Sequence, residues 1–403
     1  MSKKIRVAVV GVGNCASALF QGVNFITHQL QTQQIERGDN IDGIMFSDVG
    51  GYHPSDIEFA VAYDIDQRKV GLPMGEAIHR GTNCCYNILP AHTPIATDCI
   101  VKQGPELDGV AHHMKAASED DKERFFLYNE VVPASVKGFA DELKELGVDV
   151  LLNYLPVGSQ KATEFWAEVC LASGVSFVNC IPVFIASDPV WASRFAKAGV
   201  TIIGDDMRSQ LGASIISAAL QELFLARGMS VQMHYQDNIG GNTDFLNMQD
   251  QTRLASKKIS KENVIRKQNE LAGVDTPENT IAAGPAKYFP SLGDNKRAHW
   301  LIRATGFGGA PVEFTAELSV QDSPNSAGVV IEAIRLAKVA AELGIVGPVV
   351  GPSACTQKTP PVDLFTSDAH NECKQLAKRI VPEGYVFNNE TSQYTHPFCE
   401  SGK

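Results

Sequence analysis

The run Ile5 to Ala16, IRVAVVGVGNCA, constrains this chain most, because an apolar strand halts at a glycine and passes directly into an amphipathic helix. Ile5, Val7, Val9 and Val10 supply the strand, and Ala18, Leu19, Val23 and Ile26 follow at helical spacing. A strand, turn and helix of this kind is the first unit of a doubly wound parallel sheet. In the G-x-G-x-x-A turn, Gly11 permits the tight bend and Gly13 lets backbone N–H groups approach an anion. Ala16 lets helix and strand pack closely, so that the helix's positive end faces a pyrophosphate. Glycine turns are common, and it is the flanking strand and helix that select the dinucleotide reading.

A second strand, Phe59 to Tyr63, ends on Asp64, where an acid accepts hydrogen bonds from ribose hydroxyls and repels a 2′-phosphate. NAD is therefore expected rather than NADP. The separation of Ala16 from Asp64 is 64 − 16 = 48 residues, against about 20 in the usual motif. The polar, glycine-rich stretch Thr27 to Pro54 reads as an insertion.

Strand and helix then alternate: VDVLLNYL from Val148, a helix over Gln160 to Ala172, strands at Ser176 to Cys180 and Val200 to Gly204, and helices near Pro189 to Ala198 and after GDDMRSQLGAS. Alternation of this kind implies right-handed crossovers and a parallel sheet. After Arg227 the runs MSVQMHYQ, WLIRATGF and VEFTAELSVQ lack long helices between them, which fits an antiparallel or mixed sheet. A helix is expected from DSPNSAG, capped by Asp322 or Ser323, to Gly344. The expected fold is α/β: a doubly wound Rossmann-like NAD-binding domain of residues 1–227 and 322–364, with an inserted α+β catalytic and oligomerisation domain of residues 228–321. Residues 365–403 read as an accessory C-terminal tail.

A formal charge of −11 repels phosphate backbones and anionic membranes, so neither nucleic acid nor a membrane is expected as a partner. The nine cysteines are odd in number and lack C-x-x-C or zinc-site spacing, which suits reduced thiols in a cytoplasmic protein. The adjacent Cys84 and Cys85 carry no assignment. The basic start and short apolar run of MSKKIRVAVVG enter the glycine turn without a secretory core.

An anionic ligand of so acidic a chain needs local cations. SKKISK sets Lys257 and Lys261 four apart, on one face of a helix, where like charges disfavour each other unless an anion lies between them. Their repulsion also favours proton transfer by lowering a lysine pKa. The alternative is a solvated basic face. DNIGGNTDFLN places Asn238, Asn242, Asp244 and Asn247 around a glycine pair, suited to a polyol or equally to an Asx-rich turn. GDDMRSQ puts Asp205 and Asp206 at a strand's carboxyl end, where doubly wound folds bind ligands, unless Asp206 or Ser209 caps the next helix. LGDNK contributes Asp294 and Lys296, and SACTQKTPP contributes Lys358.

From Val7 to Leu364 the chain resembles the myo-inositol-1-phosphate synthase (inositol-3-phosphate synthase) family, in its shorter bacterial and archaeal form. The resemblance is carried, in family order, by GVGNCAS, AYDID, QGPELDG, NYLPVGS, VNCIPVFIASDPVW, GDDMRSQLGA, GGNTDFLNM, SKKISK, GDNK, DSPNSAG and the Lys358 segment. It implies an isomerase that cyclises glucose 6-phosphate to an inositol phosphate, with NAD used and regenerated in one site, and a homotetramer. It also implies roles. Lys257, Lys261, Lys296 and Lys358 would bind phosphate and stabilise oxyanions, with Lys257 moving the proton. Asp294, Asn242, Asp244 and Asn247 would orient sugar hydroxyls or lysines, and Asp206 would lie near the nicotinamide. Gly11, Gly13, Asn14, Asp64, Asn153, Tyr154, Ser159 and Asp205 would hold NAD. The resemblance leaves open whether a monovalent or divalent cation assists. One departure is Arg208, where the family commonly has lysine; a guanidinium binds anions but does not readily shuttle protons. Two other readings share the same cofactor turn: an NAD-dependent dehydrogenase of a phosphorylated polyol or aldehyde, and a non-enzymatic NAD-binding sensor.

Overall fold

The computed structural model describes residues 4–89, 95, 97–116, 126–127, 131–250, 255–277 and 280–400, with side chains at 255–261 and 284–286 excepted. The strands of its larger sheet are β1 Ile5–Val10, β2 Ile57–Asp64, β3 Val101–Gln103, β4 Val150–Asn153, β5 Ser176–Asn179 and β6 Thr201–Ile203, with a short late strand, Gly347–Pro348, at one edge. All seven are parallel, and from that late edge strand the order is β6, β5, β4, β1, β2, β3. The central strand shows why the pattern of apolar residues is continuous. Val7 and Val9 join the core shared by helices Asn14–Gln31 and Asp322–Glu342, whereas Ala8 and Val10 face Trp166 and Phe139 on the other side. A parallel sheet covered on both faces requires that.

The second sheet holds Ser230–Gly240, Ile281–Tyr288, Asn295–Thr305 and Pro311–Gln321. It is mixed: Asn295–Thr305 pairs antiparallel with both Ser230–Gly240 and Pro311–Gln321, while Ile281–Tyr288 runs parallel to Ser230–Gly240. Helix Ala213–Ala226 lies on this sheet, with Ala213, Ile216 and Leu220 against Trp300 and Ala298, and Phe224 against Ile302. The apolar stripe of this helix, which precedes the expected boundary at residue 227, thus faces the mixed sheet rather than the parallel one.

Helix Asp322–Glu342 returns the chain to the first core, burying Val330, Ile334, Ala337 and Val339. Its N-cap is Gln321 rather than Asp322 or Ser323, which leaves both of those side chains for other partners. Likewise Gly212, not Asp206 or Ser209, caps helix Ala213–Ala226. The insertion after the first helix is fastened by a fully buried pair: Glu332 accepts the Met45 N–H at 2.8 Å, and Arg335 donates to the carbonyl of Phe46 at 2.8 Å and of Tyr52 at 3.2 Å. The tail is integrated. Helix Thr366–Ala377 sends Cys373 and Leu376 into the first core, and Tyr394 pairs with Val346 through a 3.0 Å backbone bond. No helix among the described residues is long and apolar enough to cross a membrane.

Candidate active site

A deep cavity opens at the carboxyl edge of the parallel sheet and is closed from the other side by the helix Thr243–Asn247, the start of Asn295–Thr305 and the first turn of Asp322–Glu342. Its first wall is the glycine turn. Gly11 has φ +90°, and a Cβ there would stand 2.6 Å from the Tyr154 carbonyl oxygen, so both conformation and space demand glycine. Gly13 has open space around it and caps helix Asn14–Gln31 without any side chain bonding the first turn. The N–H groups of that turn lack intrahelical acceptors and line the cavity at the positive helix end, a cradle suited to an anion.

Asp64 stands at the tip of β2 beside this turn. Its Oδ2 accepts the Val12 N–H at 2.8 Å, and its Oδ1 accepts the N–H groups of Ile65 and Asp66 at 2.7 and 2.9 Å. Lys69, which sequence reasoning passed over, completes the corner: its buried Nζ donates to the Val12 carbonyl at 2.8 Å and Asn83 Oδ1 at 3.1 Å, 3.7 Å from Asp64 Oδ2. Asn14 ties the walls together, donating to Thr243 Oγ1 at 3.1 Å and accepting from the Cys84 N–H at 2.7 Å.

The opposite wall is built from ion pairs. Lys296 Nζ lies 3.1 Å from Asp322 Oδ1. Burial alone lowers the pKa of Lys296, but the Asp322 carboxylate, joined by Asp244 and Asp206, outweighs it and raises it, which keeps an ammonium group in the cavity. Lys358 Nζ donates to Asp206 Oδ1 at 2.8 Å. That pair is fixed by its own backbones: Lys358 N–H donates to the Asp206 carbonyl at 2.7 Å, and Thr359 and Asp205 exchange two bonds of 2.9 and 3.0 Å. Asn242 caps helix Thr243–Asn247 through Oδ1, while its Nδ2 reaches Asp294 at 3.2 Å and Asp322 at 3.4 Å. Asp294 lies just behind the wall, accepting from Ser323 Oγ at 2.7 Å; burial pushes its carboxyl up to about 6, opposed by that hydrogen bond and assisted by the Asp322 charge. Cys15 also lines the cavity, and burial together with Asp322, Asp294 and Asp244 pushes its thiol up to about 12, so it is not a nucleophile.

Gly11, Gly13, Asn14, Asp64, Tyr154, Asp206, Asn238, Asn242, Asp244, Asn247, Lys296 and Lys358 thus share one cavity. Three expected cofactor contacts do not reach it. Asn153 is engaged under the sheet edge with Thr163, Asn179 and the Leu155 N–H. Ser159 donates to the Pro156 carbonyl at 2.6 Å at the start of helix Gln160–Ser173. Asp205 anchors a loop, accepting from Asn179, Ile185, Ala186 and Ser187, with its carboxyl pushed up to about 6 by burial against those bonds. Each is a hydrogen-bonding hub whose polar atoms point into the protein. Asn247 is partly of this kind, since its Nδ2 braces the Val157 carbonyl at 2.9 Å. The backbones of Lys257 and Lys261 belong to helix Ala255–Leu271, and their side chains lie outside the described residues. Arg208 turns away from the cavity toward Cys355 and Asp363. Sequence reasoning considered Asp322 only as a helix cap; its position in the first turn after a strand gave no sign that Lys296 would be its partner. Among the described residues, no group of three or more His, Cys, Asp or Glu side chains could hold a metal ion.

A parallel sheet whose glycine turn shares a cavity with the Lys358–Asp206 pair and with the Lys296–Asp322 pair at the end of a second sheet defines a Rossmann-like α/β enzyme. The family profile described as Myo-inositol-1-phosphate synthase matches residues 212–323. The chain is 42% identical to the inositol-3-phosphate synthase of Mycolicibacterium smegmatis over 371 residues, covering 92% of this chain and 96% of that one. It is 40% identical to that of Corynebacterium glutamicum over 363 residues, covering 89% and 94%. A crystal structure of a myo-inositol-1-phosphate synthase-related protein from Thermotoga maritima shares the fold with a TM-score of 0.75 at 24% identity, covering 94% of this chain and all of that one. This chain belongs to the myo-inositol-1-phosphate synthase family.

Proposed function

We propose that this chain converts D-glucose 6-phosphate to 1D-myo-inositol 3-phosphate with NAD as a cofactor that is used and restored in each turnover. The observation that carries this reading is the union, in one cavity, of the Gly11 to Ala16 anion cradle and two half-buried ammonium groups, Lys296 and Lys358, each held by a carboxylate. The cradle and Asp64 suit NAD, because the open first-turn N–H groups meet a pyrophosphate and the Asp64 oxygens at the strand tip suit ribose hydroxyls. NAD held there would supply reversible hydride acceptance at sugar C5, with no net oxidation.

The remaining work falls to the protein's own groups. Once C5 is a ketone, the C6 proton is acidic and the resulting enolate attacks C1. Oxyanions develop at C5 and C1. The Lys296 ammonium, already positioned by Asp322, and the Lys358 ammonium, positioned by Asp206, suit those charges, and a preorganised donor of this kind is worth about 3–4 kcal/mol of barrier. Lys257 is assigned the proton transfer and Lys261 the substrate phosphate. Asn242, Asp244 and Asn247 are assigned to sugar hydroxyls, and Asp294 acts through Asn242 and Ser323 rather than by contact. The parallel sheet forms the cofactor unit, and residues from Ala213 to Gln321 form the catalytic and oligomerisation unit of a cytoplasmic homotetramer.

The test is incubation of purified protein with NAD and glucose 6-phosphate, with and without chelator and added cations. Formation of an inositol phosphate without stoichiometric NADH is expected. Steady NADH accumulation would instead identify a dehydrogenase, and absence of any turnover an NAD-binding sensor.

A further inference from the structure

The inward face of the mixed sheet carries a buried polar chain that the proposed reaction does not use. In strand Ser230–Gly240, Gln236 and Asn238 alternate onto the face covered by helix Ala213–Ala226, and in strand Asn295–Thr305 so do Ala298 and Trp300. Ser217 of that helix bridges the two strands. Its Oγ accepts the Trp300 Nε1–H at 2.8 Å and donates to Gln236 Oε1 at 3.0 Å, and Gln236 Nε2 donates in turn to Asn238 Oδ1 at 3.1 Å. All four side chains are buried. Asn238 is the member that lines the cavity, and its buried Nδ2 has no hydrogen-bond partner among the described residues.

Hydrogen-bond chemistry fixes the direction of this chain. An indole N–H only donates, so Ser217 Oγ accepts from Trp300 and turns its own proton toward Gln236. The end of Gln236 that meets Ser217 is therefore its carbonyl, and the end that meets Asn238 is its NH2 group. Asn238 answers with its carbonyl, which leaves its own NH2 group at the cavity wall. A buried N–H without an acceptor is costly, and a ligand oxygen is its complement. Asn238 stands opposite Ala298 in the antiparallel register, so Lys296, two residues along the same face, is its diagonal neighbour; such neighbours are about 7–8 Å apart along the backbone. Lys296 lines the same cavity. A neutral N–H donor and an ammonium group at that spacing can converge on one oxygen.

We propose that Asn238 and Lys296 together hold one carbonyl oxygen of the open-chain sugar, the oxygen on which negative charge develops, and that Trp300, Ser217 and Gln236 are positioning residues that keep Asn238 a donor. The inference rests on the reading of the cavity as a glucose 6-phosphate site. It adds an uncharged donor whose direction is set from behind the cavity wall. An Asn238 amide turned the other way would set its own carbonyl oxygen against the developing charge and repel it. The indole prevents that reversal, because no member of the chain can turn over without leaving two donors or two acceptors face to face.

The experiment measures kcat and KM for glucose 6-phosphate, as inositol phosphate formed, in the full-length protein with NAD between about pH 6 and pH 8. Asn238→Ala should lower kcat by about 10² with KM within about twofold of wild type. Asn238→Asp should be slower still at the alkaline end, where a carboxylate meets the oxyanion. Relative to wild type it should recover by about tenfold at the acid end, where the protonated carboxyl donates an O–H again. Gln236→Glu reverses the chain from behind, since its carboxylate accepts from the Asn238 NH2 group, and should match Asn238→Ala in kcat with NAD affinity unchanged. Lys296, Asp322, Asp244 and Asp206, the charged groups around this wall, are common to all these proteins, so the ratio to wild type isolates the change. Thermal melting checks folding, and Asn238→Ala decides alone if the two acidic variants do not fold. A wild-type kcat in Asn238→Ala, or an Asn238→Asp ratio that does not move with pH, would overturn the proposal. If the wild type accumulates NADH instead, the isomerase reading fails and the same ratios are read on that oxidation. If it shows no turnover, they are read on glucose 6-phosphate affinity by calorimetry, where Asn238→Ala should bind about tenfold more weakly. A protein that neither turns over nor binds glucose 6-phosphate overturns both.

Discussion

The wall formed by Gly11 to Ala16 and Asp64 is held by main-chain geometry, whereas the wall formed by Lys296, Asp322, Asp206 and Lys358 is held by charge pairs between segments far apart in the chain. In the first, a positive φ at Gly11, a helix start without a side-chain cap and backbone N–H groups on Asp64 do the positioning, all within one strand–turn–helix and its neighbour. In the second, Lys296 and Asp322 are 26 residues apart and Lys358 and Asp206 are 152 apart. Preorganising fixed dipoles for a bound anion is a local task. Holding ammonium groups for charge that develops during a reaction requires counter-charges, and those arrive from elsewhere in the fold.

Substitutions should separate the two walls. The largest effect is expected for Lys296→Ala, which removes a cavity-lining ammonium group: turnover of glucose 6-phosphate should fall by about 10³, while NAD affinity measured by calorimetry stays near wild type. A parallel loss of NAD binding would break the distinction. Gly11→Ala should act the other way, weakening NAD binding by roughly a hundredfold, because the added methyl meets the Tyr154 carbonyl in a backbone conformation that disfavours alanine.

Asp322→Asn tests positioning rather than contact. It keeps the shape but removes the charge that holds Lys296, and should lower kcat by roughly thirtyfold with little change in KM; an effect confined to KM would assign Asp322 to substrate binding instead. The smallest effect concerns Asp294, whose folded carboxyl is pushed up to about 6 from 3.8 by burial. An acid with a raised folded pKa binds its proton more tightly when folded, so its contribution to stability is lost as pH rises from about 4 to 6. Asp294→Asn should flatten that part of the stability curve by on the order of 1 kcal/mol in denaturant titrations, and an unchanged curve would show that Asp294 does not titrate there.

The same contrast explains what could be read in advance. The glycine turn, Asp64 and the parallel alternation were legible because strand, turn and helix each leave a periodic or steric mark in adjacent residues. Asn153, Ser159 and Asp205 lie behind the cavity lining rather than in it, and the sequence could not show this because a buried hydrogen-bonding residue and a ligand contact use the same residue types at strand ends. Asp322 and Lys69 were missed for the converse reason. Each has an unremarkable local setting, and its role comes from a partner brought in by the fold: Lys296 across the strand-to-helix junction for one, the Val12 carbonyl for the other. That helix Ala213–Ala226 packs on the mixed sheet was not legible, because an apolar stripe does not say which surface covers it.

The most direct test of the shared cavity uses glucose 6-phosphate carrying deuterium at C5, with NAD and an excess of unlabelled NADH in solution. If the hydride taken from the sugar is returned to the same molecule within one closed site, the inositol phosphate should keep its full deuterium content through many turnovers. Product depleted in deuterium, with label collecting in the free NADH, would contradict the claim.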